Sequence, residues 1–245
     1  MTRIKSAVIL AAGLGSRLGD LKEDKPKAFI RVGGKSLIER SIELLLKKGI
    51  GSIHIGTGYR SDYFEELKDL FPMITTFRND IYDQTGSMYT LFNMRQLITQ
   101  DILLLEGDLL YEGYALDCLL ADERENIILA SAPTHSGDEV FIECNENGLL
   151  RKMSKEKSEL ENVKGELVGI SKLSCKTLEA IYNFAETKYS AMEMGIHYED
   201  AMVGISQQVD LHVRVEPDLA WCEIDDASHL RRATELVYPK IQQRD

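Results

Sequence analysis

The sequence predicts an α/β fold of three layers, in which a mostly parallel, twisted sheet carries helices on both faces. Three observations lead to this prediction. Apolar runs of strand length alternate with segments of helical periodicity through the first half of the chain. A glycine-bearing loop directly follows the first apolar run, where ligands of parallel sheets bind. The second half contains shorter strand patterns and a hairpin turn, which predict a small additional β-rich portion.

Strands in the first half are predicted from apolar runs that end at polar or turn residues. These strands are residues 6–11, 52–57, 74–78, 102–106 and 127–132. Between them, apolar residues spaced three and four apart predict helices over residues 37–48, 63–71, 88–98 and 114–121. Because a helix carries the chain back across the sheet before each new strand, the sheet is predicted to be mostly parallel.

The second half of the chain has a different pattern. Residues 145–148, with the sequence Asn-Glu-Asn-Gly, predict a tight turn between strands at 139–144 and 149–153. Further strands are predicted at 166–172, 211–215 and 221–224, and helices at 177–188 and 229–237. The charged segment 152–164 is predicted to be a flexible loop. Since neither a linker nor a repeat interrupts these patterns, we expect one domain spanning residues 1–245.

The composition argues against several classes of protein. Of the 245 residues, 44% are hydrophobic and 28% are charged, which is typical of a globular chain. A net charge of −11 argues against a nucleic-acid partner, because binding a polyanion requires a basic face. No apolar run approaches the roughly 18 residues of a transmembrane helix, and no signal-peptide pattern is recognised. The four cysteines are widely separated, which favours reduced thiols and a cytoplasmic location.

The most specific local pattern is the loop after the first strand. Gly13 and Gly15 allow the backbone to turn tightly and to bring its N–H groups close to phosphate oxygens. Arg17 and Lys27 follow, and their charges can neutralise a triphosphate. The spacing does not match a P-loop, and Leu18 occupies the third glycine position of a dinucleotide-binding motif. The loop therefore predicts a nucleotide site of a different kind.

Two acidic regions are candidates for binding a metal ion. Asp108 follows a buried apolar run, where a carboxylate can bind Mg²⁺; capping of the next helix is the alternative. Glu223 and Asp225 point to the same face of a strand, so both can share one ion. Asp226 is either a rival ligand or the N-cap of the last helix. An acidic protein that binds a triphosphate needs a local cation, which favours the metal interpretation.

Three short segments are candidates for contacts with substrates. Residues 85–87 (Thr-Gly-Ser) can present hydroxyl and backbone groups to a pyrimidine, or simply cap a helix. Residues 198–200 (Tyr-Glu-Asp) can hold a small ammonium group, or place acidic side chains at a helix N-terminus. The acidic pair at 138–139 could complete such a pocket. Lys155 could hold the anionic group of the same ligand, or be a solvated loop lysine.

The pattern L-A-A-G-x-G-S-R-x(7)-K-P-K, which begins at Leu10, resembles the nucleoside-triphosphate transferase family, which includes the sugar nucleotidyltransferases. Further motifs, P-K-A, G-D, G-I-S-K-x-S, Y-E-D and E-I-D, are similar to those of small cytidylyltransferases that activate phosphocholine or 2-aminoethylphosphonate with CTP. The similarity covers nearly the whole chain. It implies a Rossmann-like nucleotidyltransferase fold, with nucleotide binding at about 1–132 and acceptor and metal binding at about 133–245.

The resemblance also implies roles for individual residues. Lys27 and Arg17 are the expected catalytic cations, and Mg²⁺ is the expected cofactor. The expected metal ligands are Asp108, Glu223 and Asp225, and the expected acceptor ligands are Lys155, Tyr198, Glu199 and Asp200. The expected nucleotide ligands are Leu10, Ala11, Ala12, Gly13, Gly15, Ser16, Arg17, Lys27, Thr85, Gly86, Ser87, Gly107 and Asp108.

The expected reaction is the Mg²⁺-dependent transfer of CMP from CTP to 2-aminoethylphosphonate, with release of pyrophosphate. Glu199 stands where a phosphocholine enzyme would carry an aromatic residue, and a carboxylate suits a primary ammonium better than a trimethylammonium. Phosphocholine and sugar 1-phosphates are the alternative acceptors, and a non-catalytic nucleotide-sensing module is the alternative from another class. Some enzymes of this kind are fused to an aminotransferase, so this chain could be part of a longer one.

Overall fold

The computed structural model describes residues 4–15, 17 and 24–244. Its strands are β1 (Ser6–Ala11), β2 (Arg31–Val32), β3 (Lys35–Ser36), β4 (Ser52–Thr57), β5 (Ile74–Arg78), β6 (Ile102–Glu106), β7 (Leu109–Tyr111), β8 (Ile127–Ser131), β9 (Phe141–Cys144), β10 (Leu150–Ser154), β11 (Val163–Leu173), β12 (His212–Val215) and β13 (Trp221–Glu223). Its α-helices are α1 (Leu37–Lys47), α2 (Asp62–Leu70), α3 (Ser87–Asn93), α4 (Tyr114–Ala121), α5 (Cys175–Ser190), α6 (Tyr198–Ile205), α7 (Ala227–Arg232) and α8 (Tyr238–Arg244). Within these residues, every helix is too short or too polar to cross a bilayer.

A nine-stranded sheet forms the centre of the described structure, with the main order β10-β9-β11-β6-β1-β4-β5. β6, β1, β4 and β5 are parallel to one another, as the alternation of strands and helices predicts. β11 runs antiparallel to β6, β8 and β9 and joins the strands of the second half to this parallel core. β12 then pairs in parallel with β8. Both halves of the chain therefore contribute to one sheet.

Helices cover both faces of the sheet, which confirms the predicted three-layer α/β architecture. In β1, Ala7 and Ile9 pack into a core with apolar residues of α1, α2 and α4. Val8 and Leu10 point the other way, into a core with residues of α3, α5 and α6. A strand buried on both faces has no polar side to display, which explains why β1 is a continuous apolar run.

The segment 152–164 is more ordered than the predicted flexible loop. β10 occupies its start, residues Lys157–Glu159 form a 3₁₀ turn, and β11 begins at Val163. The carboxylate of Glu143 in β9 accepts a hydrogen bond from the backbone N–H of Glu161 at 2.6 Å. The charges that suggested a loop instead lie on and after an edge strand, where charged side chains are common because they discourage pairing with other chains.

The strand pattern predicts β13 but not β7, and these two strands form a small antiparallel sheet of their own. Glu223 is paired with Leu109, and the backbone N–H of Ile224 donates to the carbonyl of Asp108 at 3.1 Å. β7 has three residues and follows a turn, so it is too short to show a periodicity of its own. The pairing brings the late acidic motif beside Asp108.

The last predicted helix, at 229–237, is longer than expected and consists of three pieces. α7 is followed by a π-helical turn at Ala233–Val237 and then by α8. The carboxylate of Asp226 accepts hydrogen bonds from the backbone N–H groups of Ser228 at 2.8 Å and His229 at 2.9 Å. This confirms the capping alternative for Asp226.

Candidate active site

A small cavity lies at the carboxyl ends of β1 and β6, the edge at which parallel sheets bind ligands. It is lined by residues predicted to bind the nucleotide, together with Ala28; these are Leu10, Ala11, Gly13, Gly15, Lys27, Gly107 and Asp108. Gly15 has a φ of +62°, and a Cβ atom at this position would overlap the side chain of Lys27. Only glycine therefore lets the loop pass so close to Lys27.

Among the described residues, the other predicted nucleotide ligands do not line this cavity. Ser16 is outside the described residues. The carbonyl of Ala12 accepts a hydrogen bond from the N–H of Tyr59 at 3.2 Å. Residues 85–87 pack against the segment before α6: the N–H of Gly86 donates to the carbonyl of Met194 at 3.1 Å, and Thr85 accepts from Asn79. The hydroxyl of Ser87 accepts from the N–H of Tyr198 at 3.1 Å. A contact of 85–87 with the base stays a prediction.

Lys27 is the cation at the centre of the site. Its ammonium lies 2.5 Å from a carboxylate oxygen of Asp108 and also contacts Asp225. Burial alone would lower the pKa of Lys27, but the charges of Asp108 and Asp225 outweigh this effect and raise it. Conversely, burial would raise the pKa of Asp225, but Lys27 and Arg17 hold it at about 2. Lys27 and Asp225 are therefore both charged at neutral pH.

Arg17 reaches the same carboxylate from the glycine loop. Its guanidinium lies 3.1 Å from Asp225 and 2.7 Å from Asp138. The side chain of Arg17 is 55% exposed, whereas that of Lys27 is 13% exposed. Both predicted catalytic cations thus contact Asp225: Lys27 from the interior and Arg17 from the surface.

Three carboxylates form a compact acidic cluster beside Lys27. Oxygen atoms of Glu106, Asp108 and Glu223 all lie within 4.8 Å of one another. Burial and the charges of Asp108 and Glu106 raise the pKa of Glu223 to about 11. Burial, followed by the charges of Glu199 and Asp108, raises the pKa of Glu106 to about 8. A set of oxygen donors that repel one another fits a hard divalent cation, which would relieve the repulsion.

The three residues of this cluster are not the same three that were predicted as metal ligands. Asp108 and Glu223 come together as expected, but the third member is Glu106, while Asp225 turns one oxygen towards the two cations. A signal for Glu106 exists in the sequence. Glu106 continues the alternation of Ile102 and Leu104 on one face of β6, so it is an ionisable residue at the end of an apolar strand face.

A second cavity adjoins the acidic cluster and is the candidate acceptor pocket. Its polar lining includes Glu106, Ser136, Asp138, Lys155, Glu166, Glu199, Glu223, His229 and Arg232. The Oε2 atom of Glu199 is buried and has no hydrogen-bond partner among the described residues. Burial raises the pKa of Glu199. An unpartnered buried carboxylate oxygen is costly and indicates a missing donor, which a ligand can supply.

The other predicted acceptor residues take different places. The buried hydroxyl of Tyr198 donates to Glu106 at 2.6 Å and so orients that carboxylate. Lys155 lies at the cavity edge, 2.6 Å from Asp138. Asp200 is outside the cavity: its carboxylate accepts from the backbone N–H of His197 at 2.8 Å and caps α6. The structure therefore agrees with the alternative interpretation of Asp200, in which its acidic side chain lies at the N-terminus of a helix.

A family model described as the MobA-like NTP transferase domain matches residues 7–183. The chain belongs to this family. A CTP:phosphoglutamine cytidylyltransferase from Campylobacter jejuni is 25% identical and aligns with 92% of this chain and 97% of its own. A 2-aminoethylphosphonate cytidylyltransferase from Lancefieldella rimae is 24% identical, with coverages of 92% and 90%. The solved structure of the CTP:phosphocholine cytidylyltransferase from Streptococcus pneumoniae has a TM-score of 0.81 and 26% identity, and covers 96% of this chain and 99% of that one.

These comparisons confirm the predicted enzyme class and fold. This NTP transferase is an enzyme of the nucleotidyltransferase type, and the relatives named above are cytidylyltransferases. Its relatives act on different phospho-compounds, so the family alone leaves the acceptor open. The cavity beside the acidic cluster is the part of the structure that bears on that choice.

In this NTP transferase, Gly169 in β11 is expected to be intolerant of substitution. Its φ is +80°, and an added Cβ would overlap the carboxylate of Glu106. Gly148 offers a matched control, because its φ is +74° and nothing lies within 4 Å of a Cβ built there. We expect Gly148→Ala to cost about 1 to 2 kcal/mol from backbone strain. Gly169→Ala should cost more and also lower activity, as measured by urea unfolding and turnover; equal losses of stability would contradict the clash.

Proposed function

We propose that this NTP transferase transfers CMP from CTP to 2-aminoethylphosphonate and releases pyrophosphate. The proposal includes the division of the chain into a nucleotide part at about 1–132 and an acceptor part at about 133–245. The observation that carries it is the second cavity. In that cavity, the Oε2 atom of Glu199 has no hydrogen-bond partner within the described part of the chain, and it lies next to the acidic cluster.

The lining of the cavity favours a primary ammonium over a quaternary one. Its carboxylates are Glu106, Asp138, Glu166, Glu199 and Glu223, and among the described lining residues Trp221 is the one Phe, Tyr or Trp. A trimethylammonium donates no hydrogen bond and is recognised by aromatic faces. A primary ammonium donates three hydrogen bonds, which carboxylate oxygens accept strongly. 2-Aminoethylphosphonate has such an ammonium, whereas phosphocholine does not.

The chemistry of the proposed reaction is a direct displacement. An oxygen of the ionised phosphonate attacks the α-phosphorus of CTP; the new P–O bond forms as the bond to pyrophosphate breaks. The attacking oxygen is already anionic, so no general base is required. Lys27 offsets charge at the α-phosphate, Arg17 holds the leaving pyrophosphate, and Lys155 holds the phosphonate. Asp225 orients Lys27 and Arg17 through its contacts with both.

The acidic cluster has a defined part in this proposal. Asp108 and Glu223, together with Glu106, would hold a Mg²⁺ ion, whose chemistry is to neutralise phosphate charge. Tyr198 fixes the orientation of Glu106 through its hydrogen bond, which leaves the second oxygen of that carboxylate available. The chain itself therefore supplies positioning and charge complementarity rather than proton transfer.

A screen of pyrophosphate release tests the proposed reaction. Each of the four nucleoside triphosphates is combined, in the presence of Mg²⁺, with 2-aminoethylphosphonate, phosphocholine and hexose 1-phosphates. We expect the highest kcat/KM for CTP with 2-aminoethylphosphonate. Activity confined to a hexose phosphate would overturn the choice of acceptor, and nucleotide binding without any pyrophosphate release would favour the nucleotide-sensing alternative.

Glu199→Gln tests the acceptor pocket directly. The substitution keeps the size of the side chain and removes its charge, so we expect KM for 2-aminoethylphosphonate to rise about 10- to 100-fold. KM for CTP should change little. Glu193→Gln is the control, because Glu193 pairs with Lys188 at 2.9 Å on the surface. Asp200→Ala should reduce stability, because it removes the acceptor for the backbone N–H of His197, and should leave KM for 2-aminoethylphosphonate unchanged. A rise in KM at Asp200 but not at Glu199 would contradict the assignment.

A further inference from the structure

We propose that Asp138 couples the two substrate sites by exchanging its cationic partners. With both sites empty, Asp138 pairs with Arg17 and Lys155; when a triphosphate takes Arg17, Asp138 becomes a ligand for the ammonium group of the acceptor. The inference rests on the proposed function, because it requires both a triphosphate and a cationic acceptor. It predicts that each substrate tightens the binding of the other.

The contacts of Asp138 belong to two different sites. One carboxylate oxygen lies 2.7 Å from the guanidinium of Arg17, in the nucleotide loop. The other oxygen lies 2.6 Å from the ammonium of Lys155, at the edge of the acceptor cavity. Asp138 itself lines that cavity. A single carboxylate therefore links the triphosphate side of the active site to the acceptor side.

The side chain of Asp138 is mostly buried, whereas the side chains of its two cationic partners are exposed. The side chain of Asp138 is 17% exposed, while those of Arg17 and Lys155 are 55% and 60% exposed. Long exposed side chains change rotamer readily, and exposed ion pairs contribute little to stability. A change of partner at this position therefore involves the movement of Arg17 and Lys155 rather than of Asp138.

Two buried side chains fix the loop that carries Asp138. The hydroxyl of Thr134 donates to Glu166 in β11 at 2.9 Å, and the backbone N–H of Thr134 donates to the same carboxylate. The imidazole of His229 lies 3.2 Å from the carbonyl of Ser136 and accepts from the N–H of Asp225 at 3.3 Å through its other nitrogen. These contacts tie the loop both to β11 and to the start of α7.

Charge balance gives the direction of the coupling. A triphosphate carries more charge than one carboxylate and binds a guanidinium in a bidentate manner, so it draws Arg17 away from Asp138. The loss of Arg17 leaves Asp138 with one partner in a cavity already lined by Glu106, Glu199 and Glu223. The cavity then attracts a cation more strongly than before. By linkage, an acceptor that carries an ammonium must tighten nucleotide binding by the same factor.

Calorimetric titrations test the coupling. The Kd of 2-aminoethylphosphonate is measured with and without the unreactive nucleotide cytidine 5′-(α,β-methylene)triphosphate in the presence of Mg²⁺. For the unsubstituted protein, we expect the nucleotide to lower this Kd by about 5- to 150-fold. In Asp138→Asn, the ratio of the Kd values without and with the nucleotide should fall to about one. The nucleotide alone should bind this variant as tightly as before or more tightly, because Arg17 no longer has to leave a charged partner.

Asp122→Asn is the matched control. Asp122 is also a carboxylate shared by two cations, Arg124 and Arg214, but it precedes β8 at the opposite end of the sheet. This variant should keep the full coupling factor, and thermal unfolding monitors the stability of both variants. A coupling factor that Asp138→Asn leaves unchanged, in a protein that turns over 2-aminoethylphosphonate, overturns this inference alone. Absence of both binding and turnover of 2-aminoethylphosphonate overturns the proposed function and the inference with it.

Discussion

Replacing Lys27 with alanine is expected to lower kcat by about 100- to 1,000-fold while the fold is retained. Lys27 is the one cation that lies between Asp108 and Asp225 in the described part of the nucleotide cavity and is largely buried there. A preorganised charge in a partly buried site stabilises developing negative charge more strongly than a solvated one. The measurement is the rate of pyrophosphate release at saturating CTP and 2-aminoethylphosphonate, with circular dichroism to verify the fold.

Lys48→Ala provides the comparison for this variant. Lys48 follows α1 and pairs with Asp117 at 2.7 Å, at the opposite end of the sheet from the site. Its removal should leave kcat nearly unchanged. Near-normal turnover in Lys27→Ala would show that Lys27 does not act on the reacting phosphate. A rise in KM for CTP without a change in kcat would show that Lys27 binds the ground state and the transition state equally.

Asp108→Asn is the second substitution for which we expect a large effect. Asp108 belongs both to the acidic cluster and to the ion pair with Lys27, so the change removes a charge from each. We expect kcat/KM to fall at least about 100-fold and the concentration of Mg²⁺ needed for half-maximal activity to rise. Initial rates across a Mg²⁺ titration measure both effects. Direct titration of the nucleotide-free protein with Mn²⁺ reports metal binding independently of turnover.

A surface carboxylate serves as the control for Asp108. Asp117→Asn removes the charge of a residue that is 52% exposed and pairs with Lys48, and it should leave the metal dependence unchanged. Chelation of divalent ions should abolish turnover of the unsubstituted protein and be reversed by added Mg²⁺. An Asp108→Asn enzyme with the original Mg²⁺ dependence would exclude Asp108 as a metal ligand.

The local sequence was sufficient to predict the parallel core and to group the predicted nucleotide ligands at the end of β1. β1 and β6 are apolar runs because both of their faces are buried, and the glycine loop follows β1 without interruption. Residues that are close in sequence at the end of β1 remain close in space. For this reason the predicted set around Gly13, Gly15 and Lys27 forms one cavity.

The acidic cluster and the candidate acceptor pocket depend on contacts between residues that are far apart in sequence, which local sequence patterns do not predict. Glu106 meets Glu223 only because β7 pairs with β13 across more than a hundred residues of chain. Asp138 meets Arg17 because Glu166 and His229 fix the loop between β8 and β9. Capping likewise explains Asp200 and Asp226, since acidic residues at a helix N-terminus serve the helix and a ligand equally well in sequence terms.

β11 also has a consequence for the evolutionary divergence of such enzymes. This strand pairs on one side with β6 of the parallel core. It also pairs with β8 and β9, the strands that precede and follow the loop containing Asp138. Gly169 in β11 lies beside the carboxylate of Glu106. Glu166 in the same strand accepts a hydrogen bond from the hydroxyl of Thr134 in the loop between β8 and β9. Under the proposed function, changes at positions of that loop other than Asp138 would alter which acceptor is taken, while Gly13, Gly15 and Lys27 of the first cavity stay unchanged. This division fits the relatives described above, which are cytidylyltransferases of phosphoglutamine, 2-aminoethylphosphonate and phosphocholine.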